Sequence, residues 1–335
     1  MLTHRNLVAN VLQAAPIIGV SAHDTVLAVL PFFHIYGMTV LLNLSLSSRA
    51  RVVTQPRFGL AEFLRIIQDN HCTYVFIAPP VAVVLAKHPL IDQYDLSSVE
   101  VVLSGAAPLD EALGRALEDR LGVRVLQGYG MTEMSPISHV IPRGREDISI
   151  GSIGLTVSNV QMKIVDTITG HEVAPPDEGL SEPGELLVRG PNVMVGYLNN
   201  PEATEATLDA GGFLHTGDIA RIGADGAVWI VGRLKELIKY KGYQVAPAEL
   251  EALLLTHPAI ADAAVIGIPD EDAGEIPKAF VVPQSEATLT GAEVIAFVAD
   301  HIAPHKKIRI VEFVDAIPKS ASGKILRKDL RTRTS

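Results

Sequence analysis

The residues best suited to chemistry lie between Gln127 and Glu133, in the run QGYGMTE. Tyr129 offers a flat face on which a base can stack, Thr132 a hydroxyl for a phosphate oxygen or a metal, and Glu133 a hard oxygen ligand for Mg2+. Those are three of the parts that a nucleoside triphosphate requires. The apolar run Val123 to Leu126 reads as a short buried strand, and Gly128 and Gly130 would then let the backbone turn sharply and approach a ligand. Ligands of open α/β sheets bind at such strand ends. The same heptapeptide also fits a plain strand-to-helix turn in which Thr132 caps the helix.

Further candidates are scattered along the chain. His34 stands in LPFFHIYGM, where an imidazole can face a pocket or satisfy a carbonyl in the core. Ser104-Gly105-Ala106-Ala107-Pro108 follows another apolar run, and its small residues would let backbone carbonyls meet the edge of a base. In His215-Thr216-Gly217-Asp218 a carboxylate beside a glycine could accept hydrogen bonds from both hydroxyls of a ribose. Arg233, Lys235, Lys239 and Lys241 crowd a stretch at a compositional boundary, where a solvated linker is the alternative. A second basic cluster, Lys319 to Arg333, carries Ser320-Ala321-Ser322-Gly323 before Lys324; a charged, frayed terminus has the same composition.

Apolar runs at Val26 to Leu30, Ala50 to Val53, Tyr74 to Ala78, Val99 to Leu103 and Val123 to Leu126 must position these groups. They alternate with helical stretches, one marked by Leu60, Phe63, Leu64 and Ile67, which predicts a mostly parallel sheet covered by helices over residues 1–145. Beyond Gly151 the rhythm changes to short strands: Val160 to Val165, Gly184 to Arg189, Phe213 to His215, Ile219 to Ile222, and Ala227 to Val231 after the turn Ala224-Asp225-Gly226. The expectation there is a small antiparallel sheet or barrel over 146–232. From 233 to 335 a compact α+β module is expected, with helices near Pro247 to Leu255 and Gly291 to His301. Its strands are expected near Ala263 to Ile268, Ala279 to Val282 and Arg309 to Val314.

With 335 residues, of which 48% are hydrophobic, the chain can bury a large core and fill two or three domains. A net charge of -10 argues against nucleic acid as a partner, because neutralising phosphates needs basic surface. Cys72 is the one cysteine, so no internal disulfide or cysteine cluster can form, as suits a reducing cytoplasm. Thr25 to Ser48 has no charged side chain and the length of a membrane span, yet Pro31, His34, Gly37 and Asn43 interrupt it. A buried strand, a turn and a buried helix are expected instead, with no transmembrane segment. Only Arg5 precedes an N-terminal apolar stretch that Asn10 and Gln13 break, which argues against a signal peptide.

Read in order, LPFFHIYG, SGAAPL, QGYGMTE, GELLVRGPNVMVGYLNNPEAT, HTGD, GRLKELIKYKGYQVAPAELE and PKSASGKILRK resemble the adenylate-forming superfamily of acyl-CoA synthetases. The resemblance is strongest to the 4-coumarate-CoA ligase and firefly-luciferase branch and runs from Leu2 to about Leu330. It implies that Gly105, Ala106, Ala107 and Tyr129, with Gln127 and Gly128 beside them, hold adenine. Asp218 and Arg233 would hold the ribose, Thr132 the phosphates and Glu133 the Mg2+. Lys324 would bridge the attacking carboxylate and the α-phosphate, where a compact cation suits gathering negative charge. His34, Tyr36, Gly105, Gly128, Gly130, Pro136 and Ile137 match acyl-pocket positions, His34 also being assigned to catalysis. Lys235 matches a hinge about which the last domain, a mobile lid, swings; Lys239, Gly242 and Gln244 lie on the face brought to the adenylate, Lys239 in a catalytic role.

The reaction so implied uses ATP, Mg2+ and coenzyme A. A carboxylic acid attacks the α-phosphate to give acyl-adenylate and pyrophosphate, and the coenzyme A thiol then displaces AMP. Relatives carry a Ser/Thr/Gly-rich phosphate loop ending in Pro-Lys-Gly just before the segment that here begins Met1-Leu2-Thr3-His4-Arg5-Asn6. Without that loop the 335 residues are expected to bind ATP poorly and to show little ATP-pyrophosphate exchange. Met1 then stands for an internal methionine of a longer gene or for a true truncation. Leu103, Thr39 and Ile137 argue against a pocket tailored to a phenolic hydroxyl and leave a medium or long aliphatic acid, or a plain aryl acid, equally open. An enzyme loading a carrier protein, and a non-catalytic fragment that binds AMP or acyl-adenylate or associates with another chain, are the alternatives.

Overall fold

The computed structural model describes residues 1–284, 288–320 and 325–332. Among them the chain divides into two compact units, Met1–Thr216 with Arg221–Ile230, and Gly217–Ala220 with the chain from Val231 onward.

The first unit opens with α1 (His4–Ile18), whose N-terminus is closed by a reciprocal pair: Asn6 N–H donates to Thr3 Oγ1 and Thr3 N–H to Asn6 Oδ1. Strands β1 (Thr25–Ala28), β2 (Arg51–Thr54), β3 (Tyr74–Ile77), β4 (Val101–Ser104) and β5 (Arg124–Gly130) follow, with β6 (Ile137–Val140) and β7 (Leu155–Thr156) after them. The sheet order is β2-β1-β3-β4-β5-β6-β7; the first five strands run parallel and β6 and β7 antiparallel. Between them lie α2 (Leu44–Ser47), α3 (Leu60–Asn70), α4 (Pro79–Lys87) and α5 (Glu111–Leu121). Phe63, Leu64 and Ile67 of α3 pack on Leu27, Val75, Ile77, Val102 and Val125 with Leu85 and Leu117 of the neighbouring helices. Every residue of β3 and β4 is buried, as a parallel strand covered on both faces requires. The uncharged stretch after β1 becomes a π-helical segment, Tyr36–Asn43, running into α2.

A second sheet holds β8 (Gln161–Val165), β9 (Glu172–Val173), β10 (Gly184–Arg189), β11 (Leu214–Ile222) and β12 (Val228–Arg233) in the order β12-β11-β10-β8-β9. It is open, with β12 and β9 as its edges, so of the sheet or barrel expected for this region it is the sheet that forms, without barrel-like closure. The helix α6 (Pro201–Thr207) lies between β10 and β11 in sequence. The two strands expected on either side of His-Thr-Gly-Asp are a single one, because the left-handed Gly217 (φ 69°) lets β11 continue through the motif.

The second unit contains β13 (Ile238–Tyr240), β14 (Tyr243–Val245), α7 (Pro247–Leu255), β15 (Ile260–Asp270), β16 (Gly274–Pro283), α8 (Gly291–His301), β17 (Ile310–Phe313) and α9 (Arg327–Thr332). Its sheet runs β14-β13-β16-β15, with β17 parallel to β16. Leu250, Leu254, Val294 and Val298 of α7 and α8 pack with Val265 and Val281, while Phe280, Ala264, Ile266 and Leu330 form a separate cluster. Both helices have the bounds that the apolar periodicity predicts. Glu251 is buried in α7, takes the Val265 N–H at 2.8 Å and is gripped at both oxygens by Arg327, which also pairs with Glu236 at 2.9 Å.

Burial pushes the Glu251 carboxyl up against the downward pull of Arg327. Arg327→Met therefore leaves a buried carboxylate uncompensated, and urea denaturation at pH 7 should show a loss of about 3–5 kcal/mol; a loss below about 1 kcal/mol would contradict this. His139 in β6 is fully buried and desolvation pushes its imidazole down to about 3. The unfolded chain takes up this proton near pH 6.5 and the folded chain does not, so stability falls as pH drops from 6.5 toward 3. His139→Gln should remove about 2 kcal/mol of the stability lost between pH 7 and pH 5. An unchanged pH slope would show that His139 titrates normally in the folded chain.

Candidate functional site

Parallel strands end on the same side of their sheet, and the groups singled out in the first unit follow those ends. Residues 34–36 follow β1, the Gly105–Ala107 loop follows β4, and β5 runs on into Tyr129 and Gly130. The register pairs Ser104 with Gln127, so the loop after β4 leaves the sheet beside Gly128 and Tyr129. Gly105 N–H donates to Ile77 O at 3.1 Å, and Ala106 adopts a left-handed conformation (φ 73°) that only a tightly determined loop imposes on a residue with a Cβ. The Tyr36 ring lies against Gly105, where a Cβ would meet Cε1 at 3.0 Å. Tyr36 Oη donates to Leu103 O at 3.2 Å, and burial raises the phenol well above its ordinary pKa. His34 is partly exposed and accepts from Tyr36 N–H through Nδ1 at 3.3 Å.

Gln127 is buried and its amide is spent on backbone: Oε1 accepts from Leu109 N–H at 2.6 Å, and Nε2 donates to Ile150 O and Ser152 O at 2.8 and 3.0 Å. It fixes the loop after β4 through Leu109. Gly128, Tyr129 and Gly130 are extended, paired with Val140, His139 and Ile137 of β6, with a register shift between Tyr129 and Gly130. The expected sharp turn at the glycines is thus displaced to residues 131–136, because antiparallel pairing with β6 outweighs the glycine signal. Tyr129 is half-buried and meets His139 edge-on, 6.1 Å between ring centroids. Gly130 cannot be replaced without rearrangement, since a Cβ there would lie 2.2 Å from Pro136 O.

The turn itself is a short 3-10 segment, Thr132–Met134, preceded by Met131 rather than capped by Thr132. It ends at Ser135 (φ 71°) and Pro136 and is held from two directions. Asn10 of α1, fully buried, donates to Ile137 O at 2.7 Å and accepts from Ile137 N–H at 3.1 Å, imitating a strand partner across 127 residues of sequence. Asn192, also fully buried, donates through Nδ2 to Met134 O and Ile137 O at 2.8 and 3.2 Å, and its backbone carbonyl accepts from Ser135 Oγ at 2.8 Å. Met194 N–H donates to Glu133 O at 2.8 Å, and Tyr197 Oη donates to Glu133 Oε1 at 2.7 Å. Asn6 ties the same segment to α1 through Pro191 O and Val193 O at 2.8 and 2.9 Å. The result is an exposed Thr132 and a half-buried Glu133 on a backbone with little freedom. Glu133 Oε2 has no hydrogen-bond partner among the described residues.

In the second unit Asp218 is buried, with a side chain 5% exposed, and accepts from Arg233 Nε at 2.8 Å. Lys235 is exposed in the 3-10 segment Leu234–Glu236. Lys239 and Gln244 face each other across the β13–β14 hairpin, both exposed. Its two central residues, Lys241 (φ 48°) and Gly242 (φ 82°), both have positive φ, the geometry of a tight two-residue hairpin. The basic stretch read as a possible linker is therefore ordered strand and turn. Lys324 lies outside the described residues. Asn10, Asn192 and Tyr197 were not singled out by sequence reasoning: Asn10 registered only as a polar break in an apolar stretch, and GPNVMVGYLNNPEAT was noted as a motif without roles for its members.

The donor set at the turn fits a hard divalent cation: one carboxylate oxygen without a partner among the described residues and an exposed neighbouring hydroxyl, with no His or Cys in the segment. Among the described residues no group of three or more His, Cys, Asp or Glu side chains converges. A cation here would therefore rely on substrate phosphates and water, as Mg2+ commonly does.

Comparison with known proteins follows the same lines. The chain is 46% identical to a 4-coumarate-CoA ligase of Pinus taeda and 47% identical to one of Nicotiana tabacum, in each case over 99% of its own length and 62% of the relative's. It thus spans about three-fifths of those relatives. ATP-bound MatB from Rhodopseudomonas palustris superposes with a TM-score of 0.92 at 30% identity, covering 99% of this chain and 64% of that one. The o-succinylbenzoate CoA synthetase of Bacillus subtilis, in complex with its acyl-adenylate intermediate, gives 0.86 at 28%, covering 99% and 65%. No helix among the described residues is long and apolar enough to cross a membrane. Residues 1–198 match the AMP-binding enzyme family and residues 249–324 the C-terminal domain of AMP-binding enzymes, and the chain belongs to that family.

Proposed function

We propose that this chain carries the acyl-adenylate chemistry of an acid-thiol ligase, joining a carboxylic acid to coenzyme A at the expense of ATP. The observation that carries this reading is the continuity of its likeness to 4-coumarate-CoA ligases, 46–47% identity over 99% of the chain. In this reading Tyr129 and the Gly105–Ala107 loop receive adenine, beside the Gln127 and Gly128 backbone. Thr132 donates to a phosphate oxygen, and Asp218, oriented by Arg233, accepts from ribose hydroxyls. Glu133 binds the divalent cation that offsets phosphate charge. Polar groups fixed in place beforehand need no reorganisation as charge develops, which is the physical case for a rigid turn at Thr132 and Glu133. His34, Tyr36, Gly130, Pro136 and Ile137 would border the acyl group, and the Tyr36 hydroxyl, already bonded to Leu103 O, leaves an apolar ring as its contribution. Lys239, Gly242 and Gln244 would serve thioester formation, with Lys235 as the pivot of the last domain. Residues 1–145, 146–232 and 233–335 are the corresponding functional parts, and a cytoplasmic location suits the substrates.

The two half-reactions test this separately. Cinnamoyl-adenylate and coenzyme A supplied together should yield cinnamoyl-CoA and AMP, detected by mass spectrometry; no thioester, or acylation of a carrier-protein thiol instead, would overturn the assignment. Lys324→Ala should spare that step while abolishing whatever ATP-dependent adenylate formation the chain retains. Equal loss in both steps would remove Lys324 from its proposed role.

A further inference from the structure

Tyr197 is held at both ends. Its N–H donates to Thr204 Oγ1 of α6 at 2.9 Å, and its hydroxyl donates to Glu133 Oε1 at 2.7 Å. Gly196 lets the chain pass this close to α6: it has φ 141°, and a Cβ there would lie 2.7 Å from Thr204 Cγ2. The phenol contributes little to a core, since it is only partly buried, Leu198 to Asn200 are exposed and α6 buries none of its residues. A glutamate has three side-chain torsions, and Met194 N–H, on Glu133 O, fixes only its backbone. The single group on the carboxylate is the Tyr197 hydroxyl, which occupies Oε1 and leaves Oε2 without a partner among the described residues.

We infer that Tyr197 is a positioning residue, holding the Glu133 carboxylate so that one oxygen remains available to a divalent cation bound with nucleotide phosphates. This rests on the reading of Glu133 as the cation ligand. Groups that orient a metal ligand typically change metal affinity roughly 10–100-fold when removed. Tyr197→Phe keeps the ring and deletes only the donor.

The test is titration of the full chain with Mn2+ at millimolar ATP, reading the ternary complex of protein, Mn2+ and ATP by water-proton relaxation enhancement, with the binary Mn2+–ATP signal subtracted, alongside ATP binding in EDTA by calorimetry. Tyr197→Phe should weaken Mn2+ binding about tenfold, leave metal-free ATP binding unchanged and keep the wild-type melting temperature, while Glu133→Gln abolishes Mn2+ binding. If Glu133→Gln loses the ion and Tyr197→Phe does not, the positioning role falls and the ligand role stands. If Glu133→Gln binds Mn2+ like wild type, both fall. Equal weakening of ATP with and without metal would make Tyr197 merely structural and overturn the inference.

Discussion

The candidate site depends on the satisfaction of a buried backbone. Between Met131 and Ile137 the chain leaves one strand and enters another through a turn whose peptide groups have no complete ladder to join. Buried peptide groups without partners cost about 1–3 kcal/mol each, so such a turn persists only where something else supplies the hydrogen bonds. Asn10 and Asn192 supply them, one from the first helix and the other from the loop after β10. Because the amide of asparagine carries both a donor and an acceptor, Asn10 can serve both sides of the Ile137 peptide. Aspartate or leucine could not.

This arrangement separates two kinds of residue. Thr132 and Glu133 are presented outward, whereas Gln127, Asn6 and Asn10 turn inward and spend their amides on backbone, as the Asn192 NH2 does. The inward set makes no claim on a ligand, yet it determines where the outward pair stands. A site ordered before its ligand arrives spends less of the binding energy on ordering itself. The second unit follows the same logic on a smaller scale, where the buried Asp218 is oriented by Arg233 and the exposed pair Lys239 and Gln244 rides on a tight hairpin.

Much of the fold was legible because its elements are bounded by local signals. α7 and α8 have the limits that periodicity sets, and the five parallel strands fall within a few residues of their apolar runs. The misreadings have physical causes. Glycines in Gln-Gly-Tyr-Gly read as a turn, but cross-strand pairing with β6 holds them extended. His-Thr-Gly-Asp looked like a break between strands, though a left-handed glycine is enough to carry β11 through it. Long-range partners were the least legible. Nothing near Asn10 in sequence announces Ile137, and a tyrosine in an apolar-looking motif does not declare that its hydroxyl meets Glu133, 64 residues earlier. The chemical residues were visible as types, while those that hold them became visible only through contact.

The central claim is that the Thr132–Glu133 turn is built by its backbone clamps and not by its ligand. Amide hydrogen exchange, resolved at Ile137 and Met194 in the nucleotide-free chain, tests it most directly. The account predicts that both amides are protected as strongly as those of β5 and β6, and that Asn192→Ala releases the two together. Rapid exchange at both positions in the wild-type chain, with protection appearing only when nucleotide is added, would contradict it.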